Sequence, residues 1–147
     1  MSAGKVVKAI GQAGLGVALA TAGVGHLTVQ RQEFQAQVPT WFPADADLVV
    51  VVSGIVEIGL GGALLATWKQ PARAIVGGIA AAFFVAVFPG NIAQLTNHVD
   101  AFGLDSDAKR AVRLVFQPVL IAWALAATDA IPVATAWRAR RRRTAIV

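Results

Sequence analysis

The stretch Leu48–Thr67, LVVVVSGIVEIGLGGALLAT, decides how this chain folds. Its one ionisable residue is Glu57, in the middle. A helix rises 1.5 Å per residue, so about 20 residues cross the roughly 30 Å hydrocarbon core of a bilayer. Barrel strands would alternate apolar and polar residues over about ten positions, and this stretch does not alternate. Lipid offers backbone groups no hydrogen-bond partner, so the stretch reads as a transmembrane helix.

Three more segments read the same way: Ala9–Val29, Ala74–Leu95 and Ala111–Ile131. The glycines and prolines inside them, Gly11, Gly14, Gly16, Pro89 and Pro118, are tolerated in membrane helices. Composition agrees. The 147 residues are 56% hydrophobic and only 14% charged, against about 25% charged in an ordinary soluble domain. The mean hydropathy is +0.63. A soluble domain of this size could not bury so much apolar surface. No linker, low-complexity block or repeat divides the chain. The expected fold is all-α: an integral membrane bundle of four transmembrane helices, one domain over residues 1–147.

Basic residues set the orientation. With four spans both termini share a side, which carries Lys5, Lys8, Lys69, Arg73 and the tail Arg138–Arg143. The opposite side holds Arg31, Lys109, Arg110 and Arg113, and most of the acidic residues. The positive-inside rule therefore expects both termini in the cytoplasm. Trp68 and Trp137 fall at the cytoplasmic ends of spans two and four, where an aromatic belt belongs. The net charge of +5 reads as topology and attraction to anionic headgroups, not as nucleic-acid binding. The apolar run continues past the signal-peptidase-like Ala18-Leu19-Ala20 and Ala20-Thr21-Ala22, so the first span is expected to be retained.

There is no cysteine, which excludes disulfides, thiolate metal sites and cysteine redox chemistry. Nor is there a dinucleotide fingerprint or haem-attachment motif. Two histidines at different helix ends, His26 and His98, are only a weak signal for a haem site. Intramembrane ionisable residues normally face a bundle interior and mark functional positions. Glu57 lies near the midplane. His26 closes the first span, Asn91 and Gln94 close the third, and Arg113 and Gln117 open the fourth. Asn91, Gln94 and His98 share a face if the third helix runs that far. The inner half has little polar content beyond Gln12 and Asp129. Small residues at helical spacing around Glu57, Ser53, Gly54 and Gly61, let a neighbouring helix or a ligand approach its carboxyl. The expectation is an outward-facing polar pocket of His26, Glu57, Asn91, Gln94, Arg113 and Gln117 with Glu57 at its floor. The first outer connection, VPTWFP, brackets Trp41 and Phe42 between prolines and cannot be one continuous helix. Trp41 and Phe42 are the expected lid or interfacial anchor.

The ordered motifs AGVGHLTVQRQEF, VPTWFPADADLVVVVSGIVEIGLGGALL, AVFPGNIAQL and RLVFQPVLIAWAL resemble the DoxX-like family of small bacterial membrane proteins. The resemblance runs from about Ala22 to Leu125. It places the family's Gly-His on Gly25-His26, Ser-Gly-x-x-Glu on Ser53, Gly54 and Glu57, Phe-Pro-x-Asn-Ile on Phe88, Pro89, Asn91 and Ile92, and Arg-x-x-x-Gln-Pro on Arg113, Gln117 and Pro118. Where the family often carries an aromatic residue and Met after Asn-Ile, this chain has Ala93-Gln94. The resemblance implies the bacterial cytoplasmic (inner) membrane and, in some members, quinone-linked oxidoreductase systems. The residues favour a non-enzymatic binding or scaffold subunit, with membrane lipids and a protein partner or oligomer as its contacts. The alternatives are a quinone-linked accessory subunit, with quinone as an external cofactor, and a small-solute or proton pathway.

Overall fold

A computed structural model describes residues 2–144. Six helices follow one another: α1 (Ala3–Leu27), α2 (Arg31–Gln35), α3 (Ala46–Ala66), α4 (Ala72–Thr96), α5 (Asp107–Thr128) and α6 (Ala130–Thr144). No strand occurs among the described residues. Helices α1, α3, α4 and α5 are each long and apolar enough to cross a membrane. The chain is thus a multi-pass membrane protein built as a four-helix bundle. Its apolar surface points outward: Ile55, Val85 and Val115 are all exposed, as lipid-facing residues are.

Side-chain caps set the helix starts after the loops. The Asp45 carboxylate accepts from the Leu48 amide at 3.0 Å and opens α3. Ser106 does the same for Lys109 and opens α5.

The bundle consists of two close pairs, α1 with α3 and α4 with α5, joined chiefly by α1 against α5. The α1–α3 seam is made of glycines. A Cβ on Gly61 would lie 2.6 Å from the Gly16 carbonyl oxygen, and one on Gly23 would lie 2.5 Å from that of Gly54. Both pairs are spaced seven residues apart, two helical turns, so they recur on one face of each antiparallel helix. Backbones can approach this closely only where side chains are missing. The core, Leu15, Leu19, Leu64, Ala80, Ala81, Phe84 and Ala124, lies toward the terminal end of the bundle.

Two span ends need correction. The fourth span ends at Thr128, not Ile131. Asp129 turns left-handed with φ 60° and starts a separate helix, α6, which carries the basic tail. A continuous helix would drive the Pro132 ring against the Thr128 carbonyl. That carbonyl instead accepts from Gln70 Nε2 at 2.8 Å. The first helix stops at Leu27, because the Gln30 amide folds back on the Gly25 carbonyl. The third span, expected to end at Leu95, ends at Thr96; the condition for a face shared with His98 is not met, since His98, with φ 52°, pairs with Asp107 at the surface.

The inner half is also more polar than expected. Gln12 is fully buried and donates to the Leu64 and Thr67 carbonyls at 2.7 and 2.8 Å. Arg73 donates to Gln12 Oε1 at 2.6 Å and to the Ala127 carbonyl. These carbonyls belong to the last turns of α3 and α5, where a helix leaves acceptors without partners. One glutamine and one arginine from other helices satisfy them. Lys8 pairs with Asp129 at the same end.

Candidate functional site

At the loop end, a cavity of about 210 Å³ lies between α3 and α4. Its walls are largely apolar, with Val49 and Val50 from α3 and Ala86 and Val87 from α4. Few polar groups reach it, chiefly His26, Ser53, Glu57, Asn91 and Arg113.

His26 comes from the last turn of α1 and is buried. The Ser53 hydroxyl donates to the Val50 carbonyl at 3.0 Å, so its oxygen accepts from His26 Nδ1–H at 2.8 Å. The ring's Nε2 lies 3.4 Å from Glu57 Oε2. Phe34 of α2 packs against the imidazole, with the two rings tilted by 47°. Acid and imidazole thus meet edge to edge inside the bundle.

Glu57 sits midway along α3 and is 8% exposed. Its Oε2 is buried without a hydrogen-bond partner, and no other side-chain atom among the described residues is in that position. Buried polar atoms are almost always partnered, so this one requires a reason. Arg113 lines the same cavity, and its charge interacts with Glu57. It forms no direct bridge, and its hydrogen bond is to Gln117 Oε1 at 3.4 Å.

The sequence-derived site residues divide in two. His26, Glu57, Asn91 and Arg113 reach the cavity, as do Trp41 and Phe42 from the connecting loop. Gln94 and Gln117 stand behind it as braces. Gln117 accepts from Asn91 Nδ2 at 3.0 Å and donates to the Phe84 carbonyl at 2.7 Å, which ties α4 to α5 and orients Asn91. Gln94 accepts from Gln37 Nε2 at 2.7 Å and so anchors the loop above the cavity.

Sequence reasoning missed Gln37, Phe34 and Arg110. Gln37 lines the cavity, and its carbonyl lies against Gly90, where a Cβ would stand 3.0 Å from it. The Arg31–Asp47 pair, with Gln35 on the same carboxylate, and the bond from the Phe102 amide to Glu33 hold the cap in place. The hydrogen bond to Asp47 also holds the Arg31 guanidinium above its ordinary pKa. Arg110 is buried and spans the Val99 carbonyl, Asp100 and Asp107, closing the connection between α4 and α5. Its proximity to those acids in sequence was the available signal.

Fold and site together define a class: a four-helix membrane bundle with an apolar, capped cavity that holds a buried acid, an imidazole and an arginine. The chain belongs to the family described as "Domain of unknown function (DUF8561)", whose model matches residues 15–128. That span contains all four membrane helices from Leu15 onward, and every cavity residue named above. No match to the chain is found among curated proteins or among solved structures.

Proposed function

We propose that this protein is a non-enzymatic binding subunit that holds the polar head of a lipophilic ligand in the cavity between α3 and α4. The observation that carries the reading is a buried acid, Glu57, that lines an apolar cavity together with Arg113 without bridging to it. A buried acceptor and a donor held apart across an apolar space suit a molecule that bonds to both. Packed core residues such as Leu15 and Leu64 lie on the terminal side, which weighs against a solute or proton path through the bundle. The capped loop end and basic terminal end fit both termini in the cytoplasm, with the cavity toward the outer leaflet. The sequence motifs further suggest kinship with DoxX-like proteins of the bacterial cytoplasmic membrane.

The second reading is a quinone-linked accessory subunit, favoured by the 3.4 Å approach of His26 to Glu57, a pair suited to taking and giving a proton beside a redox head group. Mass spectrometry of small molecules extracted from purified protein, wild type beside Glu57→Gln, tests both. An amphiphile retained by wild type and lost from the variant supports the binding subunit, and a quinone in that role selects the second reading. Bulk lipid alone in both samples would sink both readings and redirect the search to protein partners.

A further inference from the structure

A second hollow lies at the opposite end of the bundle and shares no lining residue with the cavity. It is an apolar groove of about 490 Å³ that follows α5 from Pro118 to Asp129 and ends against Lys8 of α1 and Ile131 of α6. The break between α5 and α6 shapes that end. The left-handed turn at Asp129 starts a new helix, and the first turn of α6 becomes a wall of the groove. Along α5 the lining residues Ala122 and Ala126 are exposed and small, so the hollow is left unfilled by the protein.

The groove has the length of one leaflet. Pro118 to Asp129 is about 16 Å along a helix that rises 1.5 Å per residue, and half of a roughly 30 Å hydrocarbon core is about 15 Å. Its polar end is basic on two sides. Lys5 and Lys8 are three residues apart and share a face of α1. On α6, Arg138 and Arg142 follow Ile131 at seven and eleven residues, which turns all three to one side of the helix. Helical side chains lean toward the N-terminal end, so Arg138 reaches back toward the groove. Of these four cations only Lys8 meets an acid among the described residues, Asp129.

We infer that the groove seats one chain of an anionic phospholipid from the leaflet on the terminal side, with its phosphate held between the Lys5–Lys8 face of α1 and the Arg138–Arg142 face of α6. A zwitterionic lipid brings a cation of its own to an end that already has cations in excess, and an anionic one does not. The site differs from a general attraction of the tail for a charged surface. It needs a chain seat and two particular basic faces together, and Arg140 and Arg141, turned to the other side of α6 with Arg141 over the Trp137 ring, lie outside it.

The test is native mass spectrometry of full-length protein from micelles containing equal amounts of phosphatidylglycerol and phosphatidylcholine with the same chains. The expected result is one retained lipid per chain, phosphatidylglycerol in preference to phosphatidylcholine. The double change Arg138→Gln with Arg142→Gln should cut that retention about tenfold. So should Ala122→Trp, which fills the groove without altering charge. Arg140→Gln with Arg141→Gln removes the same charge from the other side of α6 and should leave most of the retention in place. Ile55→Trp, on the exposed face of α3, should leave it unchanged. Melting curves of each variant separate lost binding from lost folding. Equal retention of the two lipids overturns the anionic head. Equal losses from the two arginine pairs reduce the effect to bulk charge and overturn the site, and retention insensitive to Ala122→Trp overturns the groove as the chain seat.

Discussion

Replacing Gln12 with methionine keeps the side chain's length and removes its amide. The structure says what is lost. The Leu64 carbonyl loses a fully buried donor, the Thr67 carbonyl loses a part-buried one, and Arg73 loses an acceptor at 2.6 Å. Leaving a buried polar group without its partner costs about 1–3 kcal/mol. The two part-buried groups can recruit water near the membrane surface and lose about 0.5–1 kcal/mol each. The sum is about 2–5 kcal/mol, a large share of the about 5–15 kcal/mol that holds a typical protein folded. At about 2–4 °C per kcal/mol, the melting temperature should fall by roughly 4–20 °C. Circular dichroism melts in detergent micelles measure it, with the exposed Ile10→Met as control. A Gln12→Met melt within about 2 °C of wild type would show that water caps these carbonyls equally well, and the account of the terminal end would be wrong.

Further outcomes follow from other contacts. Gly61→Ala should destabilise the bundle by more than about 1 kcal/mol, because its Cβ meets the Gly16 backbone, whereas Gly59→Ala, with open space around it, should be neutral or mildly stabilising; parallel melts compare them. Arg110→Met should loosen the α4–α5 connection, seen as faster hydrogen exchange from Val99 to Asp107, since the Val99 carbonyl and two carboxylates lose a shared donor. Gln117→Leu should leave Asn91 and Arg113 without their common acceptor and weaken ligand retention while Glu57 stays intact. The chain has no native cysteine, so Thr40→Cys and Arg140→Cys can be labelled singly with a membrane-impermeant reagent. Labelling of intact cells at position 40 alone supports cytoplasmic termini, and the reverse pattern inverts the topology.

The four spans were legible because hydropathy over about 20 residues is a local property, imposed by bilayer thickness and by the need to satisfy the backbone within each segment. Glu57, His26, Asn91 and Arg113 were legible for a related reason: a polar side chain at that depth is costly enough to stand out in an apolar run. Helix ends were less so. Asp129 and Pro132 together break α5 from α6, yet either alone is tolerated inside a membrane helix.

What the sequence by itself determined is therefore the number of spans, the depth of each polar residue and the expected orientation. Only the tertiary structure decided which of those residues meet. It sorted Glu57 and Arg113 onto a cavity wall but Gln94 and Gln117 behind it, and made Gln12 and Arg73 shared caps for helices far away in the chain. The physical reason is that depth follows from rise per residue, which one helix sets alone. Partnership depends on the rotation and spacing of helices against one another, and here that is set by glycine contacts between α1 and α3, which no single segment contains.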